Sequence, residues 1–372
     1  MLACGLLPLL TRMALLLFPL GSAKSPSPPK TFVLGGQGSN EFRLDGQRFR
    51  FAAGSMHYWR NKPSEWQPKL QLMRDMGLNA VLTPTNWAWH EPAEGTWDFS
   101  GDKDFVKFVR TAGEVGLLVV LRLGSYATAE MDLGGVPYWM LTKNVTTIRS
   151  LDPVWQYYEQ RYFSQLLPMV APLQYPNGPV VCVQIGDDSD VSILSPSYYQ
   201  HQHDEFRKLG YTGLMNTLIN PGASGWWGHW SQADKVRING TSVFAGLEFS
   251  SKDALSMGTL NQSFAFTRSR FPTHNPLVDF EYYPGWIDLE GHGHTSVPAD
   301  QFAQGLDNMF SFEECSGVSI YMACGGTNFG FMGGGEWEGR KSTGIISSYD
   351  YAAPITEGGD RGPKFEPVRT VI

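Results

Sequence analysis

The residues of this chain most able to do chemistry are carboxylates set among aromatic rings. Glu130, the adjacent Asp187 and Asp188, and Glu281 each follow a short apolar, β-leaning run; Tyr126 precedes Glu130, and Tyr283 and Trp286 follow Glu281. Two carboxylates facing one another suit cleavage of a glycosidic bond. One protonates the leaving oxygen while the other attacks, or stabilises, an oxocarbenium-like centre. Trp and Tyr faces match the apolar CH face of a sugar ring. The plainer alternative is that these acids form salt bridges at the rim of the fold. Other constellations say less. His292-Gly-His294 and His201-Gln-His203 resemble metal pairs but adjoin no matching carboxylates, so they read as loop histidines, with no metal or cofactor expected. No Gly-x-Ser-x-Gly elbow suggests a serine hydrolase. Arg122, inside an apolar run, reads as the partner of a buried acid rather than as a substrate clamp.

The elements that must position these groups repeat in one rhythm. Apolar runs start at 51, 80, 117, 180, 214, 243, 277 and 318, and most lead into a helix-like segment: 64–76, 102–115, 154–170, 198–209, 232–236, 262–271 and 299–314. Eight strands about 38 residues apart, with no break in composition, predict one closed (β/α)8 barrel, a TIM barrel of the α/β class. A doubly wound open sheet would want Gly-x-Gly-x-x-Gly after the first strand, and none is there. In such a barrel chemistry sits where strands end, and strands 4 and 7 face each other across the mouth. Asp187 and Asp188 follow strand 4, and Glu281 ends strand 7.

Composition narrows the class further. The 372 residues carry 29 Lys+Arg against 36 Asp+Glu, a net charge of −7, and only 17% are charged. A basic nucleic-acid binder, a highly charged disordered chain and a coiled coil are excluded. Residues 1–23 read as a secretory signal peptide with small residues at Gly21-Ser22-Ala23, residues 24–41 as a linker, and 42–372 as the barrel. Neither apolar run of the signal is long enough to span a bilayer, so no stable membrane span is expected after its removal. Three sequons, at Asn144, Asn239 and Asn261, fit a secretory route to a lysosomal or extracellular destination. Cys182 reads as a small buried hydrophobe, and a Cys315–Cys324 bridge is one option in an oxidising compartment.

From about Phe42 to Arg369 the chain resembles glycoside hydrolase family 35, the β-galactosidase family. The resemblance runs through Gly54-Ser-Met-His-Tyr58, Trp87-Ala-Trp-His-Glu-Pro92, Arg122-Leu-Gly-Ser-Tyr126, Glu281-Tyr-Tyr-Pro-Gly-Trp286, Gly325-Gly-Thr-Asn-Phe-Gly330 and Ser348-Tyr-Asp-Tyr-Ala-Ala-Pro354. It implies a retaining enzyme that removes terminal β-D-galactose from oligosaccharides and glycoconjugates, with a catalytic barrel followed in most members by β-rich domains. Against that pattern, a single barrel lacking those domains is the expectation for this chain. By the same resemblance Glu281 matches the nucleophile; Glu130 and Tyr351 match residues that hold the galactose, and Tyr283 and Tyr321 match pocket aromatics. Tyr126 and Asp187 are further candidates for substrate contact. The family's Gln-Val-Glu-Asn-Glu-Tyr-Gly is here Gln184-Ile-Gly-Asp-Asp-Ser-Asp190, so Asp188 stands at the acid/base position and Asp187 at the neighbouring Asn. The alternative expectation is a catalytically impaired, carbohydrate-binding relative of the same fold.

Overall fold

The computed structural model describes residues 30–36, 39–186, 195–219, 243–338 and 341–372, with backbone alone at 337–338. Three short strands, β1 (Phe32–Leu34), β2 (Phe42–Leu44) and β3 (Gln47–Phe49), form an antiparallel sheet. Eight parallel strands then close a barrel: β4 (Phe51–Met56), β5 (Ala80–Pro84), β6 (Leu118–Arg122), β7 (Val180–Gln184), β8 (Leu214–Ile219), β9 (Val243–Phe249), β10 (Leu277–Tyr282) and β11 (Cys315–Cys324). Each pairs with its sequence neighbour, and the ring is completed where β11 meets β4, with Gly317 beside Phe51. A hairpin of β12 (Gly335–Glu338) and β13 (Lys341–Gly344) follows.

The helices are α1 (Pro63–Asp75), α2 (Trp87–His90), α3 (Phe105–Glu114), α4 (Pro153–Val170), α5 (Pro196–Lys208), α6 (Ser251–Ala254), α7 (Met257–Arg270), α8 (Ala299–Ser311) and α9 (Phe365–Val371). Local chemistry starts them. Asp104 caps α3 by accepting from the Lys107 amide, and Asp152, followed by Pro153, caps α4 through the amides of Val154 and Trp155. In α3, Phe105, Phe108, Val109 and Ala112 recur at helical spacing and are buried, so one face seals against the barrel while Lys107 and Arg110 stay on the other. Burial of each large side chain on that face is worth about 1.5–3 kcal/mol.

Two layers of core result. Phe51, Ala53, Leu82, Val120, Cys182, Phe244 and Phe280 fill the ring, and a larger set lies between ring and helices. The N-terminal sheet joins the inner layer: Phe32 stacks on Phe42 at 5.6 Å, and Phe42 meets Phe51 at 5.1 Å and Phe244 at 5.2 Å. Residues 32–34 thus take part in a packed sheet within the stretch expected to be a linker.

The last barrel strand starts at Cys315, three residues before the expected 318, and α7 starts at Met257 because Ser256 caps it. The expected helix at 232–236 and the signal peptide lie outside the described residues. Cys315 and Cys324 are free and buried. They stand at opposite ends of one ten-residue strand, which holds them about 30 Å apart, so the bridge left open by their spacing does not form; a disulfide needs Cα atoms within about 7 Å. His201 and His203 sit within α5 rather than in a loop, and His203 pairs with its neighbour Asp204 at 2.9 Å. No helix among the described residues is long and apolar enough to cross a membrane.

Candidate active site

Glu281 is the fifth residue of β10, at the end of the barrel where chemistry is expected, and is 9% exposed. Arg122, the last residue of β6, forms an ion pair with its Oε1. The guanidinium therefore serves an acid, as its place in an apolar run implied. The Tyr283 phenol donates to Glu281 Oε2 and also lies 2.7 Å from Glu248 Oε1. Beneath them Asp279 Oδ1 accepts from the Glu281 amide at 3.0 Å, and burial pushes the Asp279 carboxyl well above the usual range. Two carboxylates, a phenol and a guanidinium thus share the ends of β6, β9 and β10.

Glu130 reaches this region from the long loop after β6. Thr128, Ala129 and Glu130 hold φ of 44°, 46° and 46°, a left-handed run that non-glycine residues avoid unless their surroundings impose it. The surroundings do so here. Arg60 Nη2 donates to the Ala129 carbonyl at 2.6 Å, and the Gly334 amide donates to the Glu130 carbonyl at 3.0 Å. Arg60 is itself fixed, its Nε on Asn328 Oδ1 at 2.7 Å and its guanidinium 3.6 Å over the Tyr349 ring. The Tyr349 phenol donates to Glu130 Oε2. Burial outweighs that hydrogen bond and the nearby Arg60, so the Glu130 carboxyl is pushed up to about 7.

The aromatic lining comes from three segments. Tyr283, Tyr321, Tyr349 and Tyr351 form a cluster separate from both barrel cores, with Trp286 packed on it. Tyr321 and Tyr351 centroids are 5.5 Å apart, and Tyr349 and Tyr351 are 5.1 Å apart. Gly325 makes the approach of the 349–351 loop feasible: a Cβ there would fall on the Tyr349 carbonyl, and the Tyr349 amide donates to Gly326 O at 2.8 Å. Tyr351 is 1% exposed, and its hydroxyl has no hydrogen-bond partner among the described residues. A buried hydroxyl of that kind is a ready donor for a polar ligand. His57, stacked on Trp59 at 4.9 Å, is kept neutral by burial and by the charges of Arg60 and Arg122.

Of the residues singled out from sequence, the structure brings together Glu281, Tyr283, Tyr321 and Tyr351, with Glu130 joined to them through Tyr349. The Tyr126 ring lies against Gly134, where a Cβ would overlap it, and Arg149 covers it at 4.5 Å. Trp87, from the motif after the second barrel strand, is buried against Tyr162, 5.0 Å away. Asp187 and Asp188 lie outside the described residues, as does Asn239; Asn144 and Asn261 are exposed. Sequence reasoning missed Glu248, Tyr349 and Arg60 as parts of one site. Tyr349 lies two residues before Tyr351 in a segment already noted, and that proximity was the available signal.

A parallel eight-stranded barrel with a carboxylate and a tyrosine cage at its strand ends has the architecture of the barrel glycosidases. Among solved structures, a GH5_18 protein from Streptomyces cattleya in complex with GlcNAc matches with a TM-score of 0.59 at 14% identity, over 87% of this chain and 80% of that one. A β-galactosidase from Halorubrum lacusprofundi matches with a TM-score of 0.58 at 10% identity, over 86% and 57%. These likenesses concern the fold alone. The model of glycosyl hydrolases family 35 matches residues 41–372, and the chain belongs to that family. Mouse β-galactosidase-1-like protein is 35% identical over 90% of this chain and 49% of its own length. Bovine β-galactosidase is 34% identical over 97% and 53%. The chain thus spans about half the length of the curated relatives it matches.

Proposed function

We propose that this chain hydrolyses terminal β-D-galactosides with retention of configuration. Glu281 attacks the anomeric carbon and Asp188 gives a proton to the departing oxygen, leaving galactose bound to Glu281 through an ester; water, deprotonated by Asp188, then releases it. Glu130, Tyr321 and Tyr351 orient the sugar, with Asp187 and Tyr126 as further contacts. The observation that carries this reading is the ion pair of Glu281 with Arg122 at the mouth of a family 35 barrel. It is supported by the Tyr351 hydroxyl in the same aromatic cluster, which has no partner among the described residues. A secretory-pathway setting, lysosomal or extracellular, with glycans on Asn144, Asn239 and Asn261, belongs to the same proposal.

A second reading is favoured by one observation: the position of the proton donor holds Asp188, a methylene shorter than Glu, beside Asp187. A carboxyl displaced by about an ångström can lose roughly a hundredfold in rate, which would leave a galactose-binding barrel with impaired turnover. An aryl β-galactoside with a good leaving group separates the readings, since it needs little protonation. Hydrolysis by the wild type that is abolished in Glu281→Gln is the expected result. Saturable galactose binding with no turnover above blank would establish the second reading instead.

A further inference from the structure

The contacts of Tyr283 do not balance with a single phenol proton. Its oxygen lies within hydrogen-bond distance of Glu281 Oε2 and, at 2.7 Å, of Glu248 Oε1. A phenol donates one proton and accepts with its lone pairs, whereas an ionised carboxylate only accepts. Glu281 is the carboxylate that faces the Arg122 guanidinium, so it is the acceptor of the phenol proton. The contact to Glu248 then requires a proton from Glu248 itself.

We propose that Glu248 is a third carboxyl group of this site, a positioning residue that donates its proton to the Tyr283 oxygen and so commits the phenol's own proton to Glu281. The chain of donation runs from Glu248 to Tyr283 to Glu281, ending at Arg122. It aligns one Glu281 oxygen toward the phenol and the other toward the guanidinium, fixing the carboxylate plane for attack. The titratable and charged groups around this chain, among the described residues, come from every side. They are Asp279 and Glu281 on β10, Tyr283 just after it, Arg122 on β6, Glu130 in the loop after β6, Tyr321 on β11, Tyr351 in the loop after β13, and Asp253 on α6. Burial above all pushes the Tyr283 phenol well above its ordinary range, so the phenol keeps its proton. Loss of the Glu248 proton as pH rises would set two anions on one phenol and loosen Glu281. The proposal rests on the hydrolytic reading above only for its kinetic consequence, not for the position of the proton.

The test compares the wild type with Glu248→Gln and Glu248→Ala. Gln presents an N–H to the Tyr283 oxygen and so mimics the protonated acid without titrating. Turnover of an aryl β-galactoside should fall about 10–100-fold in Glu248→Ala. Glu248→Gln should recover most of that loss and flatten the decline of kcat toward alkaline pH. Recovery with an unaltered pH profile, or equal losses in both variants, overturns the proposal. A readout independent of activity is the infrared carbonyl band of a protonated carboxyl in the wild-type minus Glu248→Gln difference spectrum at neutral pH, where an ordinary glutamate is ionised. Its presence supports the proposal and its absence overturns it. If the wild type turns over no galactoside, the hydrolytic reading fails while this band still decides where the proton sits.

Discussion

Tyr349 and Glu130, 219 residues apart in the chain, are joined by a hydrogen bond that ties the loop after β13 to the loop after β6. Both loops are otherwise held to the barrel by backbone contacts and by Arg60, so this phenol is the side-chain link that aims the carboxyl. Tyr349→Phe should weaken galactose binding about 10-fold or more, the worth of a hydrogen bond to a charged group. The kcat on an activated galactoside should change less than KM, because Glu281 is untouched. Isothermal titration with galactose, alongside steady-state kinetics, checks both parts; an unaltered KM would remove Glu130 from the binding site.

Three buried carboxyls of this protein favour the folded state more in acid than at neutral pH. Burial raises Glu130 to about 7 and also raises Glu159 and Asp279. Each of these groups binds its proton more tightly when folded than when unfolded. Stability from these three groups is therefore fully present below the unfolded carboxylate range and is lost as pH climbs through the folded values. For Glu130 the window runs from the ordinary carboxylate value up to about 7, worth at most about 3 kcal/mol. Buried His57 and His90, held below their ordinary value, act in the opposite sense over the same range. The check is therefore a difference: in thermal unfolding across that window, Tm of the wild type minus Tm of Glu130→Gln should fall as pH rises.

Arg122→Met should be costly twice over. It leaves Glu281 without its cationic partner in a site where the carboxylate is 9% exposed, and breaking a buried pair typically costs about 3–5 kcal/mol. It should also lower kcat by roughly a hundredfold or more through misdirection of the nucleophile. Denaturant titration reads the first effect and single-turnover kinetics on an aryl galactoside the second. A variant that folds with wild-type kcat would show that Arg122 only packs.

The acid/base position can be tested by repair. Asp188→Glu combined with Asp187→Asn restores the family's residues at both places, and turnover of a natural galactoside, which needs leaving-group protonation, should rise about 10–100-fold. Turnover of an activated aryl galactoside should rise far less. No gain on the natural substrate would place the defect elsewhere in the pocket.

Much of the barrel was legible because its strands are apolar runs bounded by turns. Runs such as Val180–Gln184 and Ala80–Pro84 start where the pattern places them, and the third strand is off by one residue. The eighth was read late because Cys315-Ser-Gly317 has no β-leaning character; those residues become strand by pairing with β10 and β4, a tertiary cause. The short strand Phe32–Leu34 escaped notice for the same reason, since its partner lies ten residues on and its ring contacts come from Phe42, Phe49 and Phe51. In the site, Glu281 and Arg122 were readable from strand-end position and from a charge in an apolar run. Glu248 was not. It sits as one acid in the apolar strand Val243–Phe249, and its meaning appears only when Tyr283, just past the end of the next strand, is placed against it.

The meeting of β4 with β11 gives the molecule a seam. Gly317 pairs with Phe51, so the first barrel strand emerges during synthesis with one hydrogen-bonding edge bare, and its partner is made more than 250 residues later. Until then that edge could recruit any passing strand. The N-terminal sheet offers an early guard, because Phe32, Phe42 and Phe49 can pack on Phe51 as soon as these residues have left the ribosome. In the finished ring Phe42 also touches Phe244 and Phe51 touches Phe280. The same few rings that shield the opening strand thereby become a clasp, fastening the start of the barrel to strands from its far half.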